Sequence, residues 1–223
     1  MAFPLELDHV VLFAGVDAPE AQTLEALGLT GFGGTTLHGD LGTASTSFFF
    51  ENTYLELLWV NDPAAAARTF LPLDFDLQAR TNWRTTGAVP FGIMLRRKAG
   101  ATEPIPFPTR QLKADWMPGD VKIHFAAGNL GEPYYGVVPP GLAYTAFQST
   151  IPALPHKLGI KRLTGLRFVL SAGEYSLLAA LLAANGVANF VTGAAPYLEL
   201  EFDGGAQGRV VEAGDVLPLR LAC

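Results

Sequence analysis

Residues 7–13 read Leu7-Asp8-His9-Val10-Val11-Leu12-Phe13, and residues 54–60 read Tyr54-Leu55-Glu56-Leu57-Leu58-Trp59-Val60. Both are short runs of β-branched, aromatic and large aliphatic residues, the pattern of strands destined for burial. His9 stands in the middle of the first run and Glu56 in the middle of the second. Between them Asp17 reads as a helix N-cap, with Pro19 in the first turn and Glu20 three residues after the cap. Leu24 and Leu27 give the helix an apolar stripe, and Gly28 stands where a glycine ends it. Residues 32–37 and 43–50 supply two further strands. The first sixty residues therefore read β-α-β-β-β.

The pattern returns near the end of the chain. Residues 166–170 form a strand, Ser171 with Glu174 makes a capping box, and 175–184 is the strongest helix signal. Gly186 closes it, and 190–191, 197–202 and 209–212 are short strands. Laid over the first unit without gaps, Leu12 falls on Leu170, Leu24 on Leu182, Gly28 on Gly186 and Phe32 on Phe190. The tetrapeptide Tyr54-Leu55-Glu56-Leu57 recurs, at another offset, as Tyr197-Leu198-Glu199-Leu200. An internal repeat is the natural reading. The chain then divides into a first βαβββ module (1–62), a loop-rich middle (63–160) and a C-terminal βαβββ module (161–223). The middle reads as a degenerate module whose helix has given way to Pro-rich loop. The fold class is α+β, with repeated βαβββ modules forming curved mixed sheets around a cleft.

Composition narrows the function. Of 223 residues, 49% are apolar and 16% charged, so a sizeable core is available. The 24 glycines and 16 prolines favour turns and short strands over a helical bundle. The net charge of −6 argues against nucleic-acid binding, which needs clustered Lys and Arg. A single cysteine, Cys223, excludes internal disulfides and Cys-rich zinc sites. The first residues lack a basic signal-peptide region, and no apolar run approaches ~20 residues, so a soluble, cytoplasmic protein without membrane contact is expected. There is no G-x-S-x-G, C-x-x-C, H-E-x-x-H or P-loop motif. Gly31-Phe32-Gly33-Gly34 lacks the third glycine of a dinucleotide fingerprint, so no nucleotide cofactor is expected.

On a period of two, His9 shares a face with Leu7, Val11 and Phe13, and Glu56 with Tyr54 and Leu58. An unpaired buried carboxylate costs roughly several kcal/mol unless it is paired, protonated or metal-bound. A His and a carboxylate on rigid strands suit Zn²⁺, Mn²⁺, Fe²⁺ or Ni²⁺. The competing reading has His9 bonded to a neighbour and Glu56 paired with an Arg. His156, between Pro155 and Lys157, reads as a solvated loop residue.

The run 7–13, the segment Leu37-His38-Gly39-Asp40-Leu41-Gly42-Thr43-Ala44 and the run from Tyr54 to Arg68 together resemble a glyoxalase-like domain of the vicinal oxygen chelate superfamily. The resemblance covers 5–68 well and the middle weakly. It implies paired βαβββ modules whose sheets curl around a pocket. It also implies a divalent metal on His9 and Glu56, with Glu56 shuttling a proton, and puts His38 close to the pocket. The partner pair is where this chain departs. In the C-terminal repeat the position matching His9 is Arg167 or Leu166, with Glu199 or Glu212 opposite Glu56. In the middle, Gln148 and His124 are the polar candidates. Arg167 would clamp a carboxylate, either Glu56 or an acid group on the substrate. The expected function is a metal-dependent lyase, isomerase or dioxygenase acting on a small organic molecule. The competing class is a metal-free, non-catalytic small-molecule binder on the same fold. An odd number of modules leaves a sheet edge free, which leaves room for a homodimer.

Overall fold

The computed structural model describes residues 2–151, 154–171 and 175–223, so Glu174 of the capping signature lies outside the described residues. Among the described residues one sheet holds β1 (Leu5–Phe13), β2 (Thr36–Leu37), β3 (Thr43–Phe49), β4 (Tyr54–Val60), β5 (Phe91–Arg97), β6 (Arg110–Leu112), β7 (Ile123–Phe125) and β8 (Tyr134–Val137). Its spatial order is β2-β3-β4-β1-β5-β8-β7-β6. A second sheet holds β9 (Leu163–Leu170), β10 (Asn189–Thr192), β11 (Tyr197–Phe202), β12 (Val210–Glu212) and β13 (Leu219–Ala222), in the order β10-β9-β11-β13-β12. The helices are α1 (Glu20–Ala26), α2 (Pro63–Phe70), α3 (Leu77–Thr81), α4 (Trp83–Thr86), α5 (Tyr144–Phe147) and α6 (Leu177–Ala184). The class is mixed α+β, and the larger sheet curls into a half-barrel. Among the described residues no helix is long and apolar enough to cross a membrane.

The larger sheet has two similar halves. β1 passes through α1, β2 and β3 and returns as β4, parallel and adjacent. β5 passes through β6 and β7 and returns as β8, again parallel and adjacent. The halves join where β1 and β5 pair antiparallel. Residues 98–109 occupy the stretch that α1 occupies in the first half, and no helix is described there. Pro104, Pro106 and Pro108 remove three backbone donors from that segment and hold it open. The C-terminal strands pair differently from the first half. The short connection after α6 sets β10 beside β9 in parallel, and β11 then takes β9's other edge.

The alternation of β1 divides the interior. Val10 and Leu12 point into a core shared with the second sheet, against Leu57, Trp59, Phe91, Phe168 and Leu198. Val11 and Phe13 point the other way, into a core with Leu58, Phe70, Phe75, Met94 and Tyr134. Both faces of the strand are therefore buried, as its near-continuous apolar run requires.

His156 is on a loop but buried, which corrects its reading as solvated. The Thr30 amide donates to its Nδ1 at 2.9 Å and its Nε2 donates to the Phe49 carbonyl at 3.1 Å. Its ring lies 4.7 Å from that of Phe50. A neutral imidazole satisfies both bonds, and burial lowers the basicity of the ring. Its folded pKa lies below the unfolded value of about 6.5, so its contribution is complete above about pH 6.5 and declines as the pH falls towards the folded value. Urea midpoints at about pH 7.5 and 5.5 are expected to show this loss in the wild type. The slope is expected to be smaller in His156→Gln, which can still bridge Thr30 and Phe49. Equal slopes in the two proteins would refute the assignment.

Candidate active-site cleft

The β1–β5 register slips at one point. Leu7 pairs with Leu95 and His9 with Met94, which leaves Asp8 as an extra residue in β1. A bulge of this kind re-aims side chains. Here it brings the carboxylate of Asp8 beside the ring of His9, whose Nδ1 donates to Asp8 Oδ1 at 2.6 Å. Asp8 is fully buried. Its other oxygen accepts the Tyr144 amide at 2.9 Å and lies 3.5 Å from the Arg96 guanidinium. Arg96 also donates to Glu6 at 2.9 Å. With Nδ1 committed, Nε2 is the atom His9 has left for the cleft. The ring stacks on Tyr54 at 4.2 Å and 18°.

Glu56 arrives on β4, whose parallel register sets Val11 beside Glu56. Its Oε2 lies 3.6 Å from His9 Nε2, and its Oε1 lies 3.8 Å from His38 Nε2. His38 shares hydrogen bonds with Thr43 Oγ1 at 2.9 Å and Ser45 Oγ at 3.2 Å. The turn between His38 and Thr43 depends on Gly42, at φ +71°. A Cβ there would sit 2.5 Å from the Asp62 carbonyl and the Ala66 amide, so only glycine fits.

These groups open into a cleft of about 220 Å³. Its walls include Phe70, Phe75, Phe125, Trp116 and Tyr134, and no Lys or Arg is among the described residues lining it. Burial first, and then the charge of Glu56, hold the hydroxyls of Tyr54 and Tyr134 well above the usual phenol range. Both therefore stay protonated donors at any ordinary pH.

Of the residues singled out in the sequence, His9, Glu56 and His38 meet here. Three others do not. His124 is on β7 in a separate groove with Arg97 and Lys122, bonded to Thr109 at 3.0 Å. Burial and those two cations lower its pKa. Gln148 follows α5 and is not on a strand; its amide donates to the Glu51 carbonyl. Arg167 is on β9 in the other sheet, where Leu166 and Phe168 take the core face and turn it to solvent. It pairs across the strand with Glu199 at 3.5 Å, out of reach of Glu56. Leu166 is core, and Glu212 pairs with Arg220 at 2.8 Å. Asp8, behind His9, and Tyr134, in the cleft wall, escaped the sequence reading. Asp8 carried a signal, a charge inside a strand built for burial. Tyr134 carried none, because an aromatic in a short strand reads as core. Among the described residues, no group of three or more His, Cys, Asp or Glu side chains stands ready to hold a metal ion.

Residues 7–103 match the sequence model of the glyoxalase-like domain, of the vicinal oxygen chelate superfamily. Over that stretch the chain is similar to this domain. The stretch holds β1 through β5, and with them His9, His38 and Glu56. The chain is also similar to a crystal structure of a hypothetical protein from Staphylococcus aureus. The TM-score is 0.50 at 10% identity, over 97% of this chain and 98% of that one. At that identity the likeness concerns the fold alone. No curated protein matches the sequence.

The cleft depends on Asp8 to hold His9. Asp8→Ala would leave the buried Tyr144 amide without its acceptor and take the inner ion-pair partner from the half-buried Arg96 guanidinium, at a cost of about 2–4 kcal/mol. Glu6→Ala, which breaks only the outer bond of Arg96, is expected to cost under about 1 kcal/mol. Equilibrium urea unfolding of the two variants checks the contrast, and equal losses would contradict it.

Proposed function

We propose that this glyoxalase-like cleft is the active site of a lyase- or isomerase-type enzyme acting on a small, mostly apolar organic molecule, with a divalent cation held by His9 and Glu56. One observation carries the reading. His9, its Nδ1 already donated to Asp8, turns Nε2 towards the Glu56 carboxylate at 3.6 Å inside an apolar cleft. Two electron-rich atoms facing each other at that spacing call for a positive charge between them. The donor chemistry, one imidazole nitrogen and one carboxylate, suits Zn²⁺, Mn²⁺, Fe²⁺ or Ni²⁺. When bound, such an ion supplies Lewis-acid polarisation of a substrate oxygen.

The chain's own residues do the rest. Asp8 fixes the tautomer and the orientation of His9. Glu56 presents its second oxygen on the His38 side, where it can take a proton from the substrate and return it. The aromatic walls exclude water, which strengthens each of these interactions. A second reading, a binder without catalysis, is favoured by one fact: β5 and β8 bring neither His nor carboxylate to the cleft.

Elemental mass spectrometry on untagged protein, after incubation with each of the four ions and desalting, separates the readings. The proposal expects near-stoichiometric metal in the wild type and its loss in both His9→Ala and Glu56→Gln. No retained metal in the wild type would overturn it in favour of the binder, and full retention in both variants would place the ion elsewhere.

A further inference from the structure

The two halves of the large sheet invite comparison position by position. Val10 pairs with Leu55 in the first half, so His9 and Tyr54 stand one step earlier, ring on ring. In the second half Gly92 pairs with Tyr134, the first residue of β8 as Tyr54 is of β4. Tyr134-Tyr135-Gly136 then answers to Tyr54-Leu55-Glu56, and Gly92 answers to His9. Both positions that carry the polar pair in one half are glycine in the other.

Those places are filled from the side. A Cβ on Gly92 would lie 2.0 Å from the ring of Tyr134, and one on Gly136 would lie 2.5 Å from the sulfur of Met94. The ring of Tyr134 thus occupies the space that a side chain at the His9 counterpart would need. Phe75 at 4.6 Å, Phe13 at 5.7 Å and Phe125 at 6.0 Å hold that ring in place. Tyr134 lines the cleft together with His9 and Glu56. Among the described residues its hydroxyl has no hydrogen-bond partner.

We infer that Tyr134 is the second half's contribution to the site, a ligand-binding hydroxyl that donates to an acceptor oxygen of a small uncharged molecule such as a ketone or aldehyde. The inference rests on the reading of this cleft as a ligand site, and it is independent of the metal. A neutral phenol suits an acceptor better than an anion does, and burial beside Glu56 keeps this phenol neutral. The same carboxylate, with no Lys or Arg among the described lining residues to offset it, disfavours ligands that carry a carboxylate or phosphate.

The test uses two probes of one shape, acetophenone and ethylbenzene, with benzoate as the charged control. Binding is measured by calorimetry on the full chain in the presence of a chelator, so that failure of the metal proposal leaves the result untouched. Wild type is expected to bind acetophenone about 5- to 10-fold more tightly than ethylbenzene, the usual range for one net hydrogen bond. Tyr134→Phe, which keeps the ring on Gly92, is expected to bind the two equally, while Tyr54→Phe keeps the preference. An unchanged melting temperature shows that Tyr134→Phe is folded. A preference that survives in Tyr134→Phe, no preference in the wild type, binding of neither probe, or benzoate bound as tightly as acetophenone would each overturn the inference.

Discussion

Burial of β1 on both faces is the constraint on which the rest of the structure depends. A strand with one wet face can place polar groups at will. A strand with none must account for each of them. In β1 the even side packs on the second sheet, and the odd side looks into the half-barrel. His9 belongs to the odd side, and the bulge at Asp8 supplies its partner from the adjacent residue. The parallel return of β4 then sets Glu56 on the same face. Two strands that cannot move without opening two cores thus hold one imidazole and one carboxylate within 3.6 Å.

This rigidity also explains what was legible in the sequence. From His9 onward the face shared with Val11 and Phe13 follows the period of two, whereas the bulge at Asp8 turns Leu7, expected on the same face, to the opposite core. Glu56 was legible through the same period of two. His38 was legible only through the glycine-rich turn that resembles the family's own. His124, Gln148 and Arg167 were not, because their positions depend on which remote segments pair. Arg167 shows this most plainly. The gapless overlay aligns it with His9, but β9 pairs with β10 and β11, and the strand turns Arg167 to solvent. A repeat in sequence does not fix a repeat in sheet order. Asp8 was visible as a charge in a buried strand, but its role was not, since a bulge has no periodic signature.

The two halves of the sheet differ in chemistry while sharing their pairing. Among the described residues the first half supplies every His and carboxylate in the cleft, and the second supplies aromatic and apolar walls with the Tyr134 hydroxyl. Gly92 and Gly136 are the residues at which that difference is made. With no side chain at those two positions, Tyr134 and Met94 fill the space beside them. The outcome is a one-sided site, charged on its β1–β4 floor and dry elsewhere. Such a site suits a ligand with one oxygen function on an apolar frame better than a polyanion.

The central claim is that His9 offers Nε2, and only Nε2, to the cleft. Nitrogen-15 spectra of the imidazole rings during a Zn²⁺ titration test it most directly. The His9 Nε2 resonance is expected to move while its Nδ1 keeps the signature of an N–H donated to Asp8. A His9 ring that carries its proton on Nε2, or a titration in which only His124 responds, would contradict it.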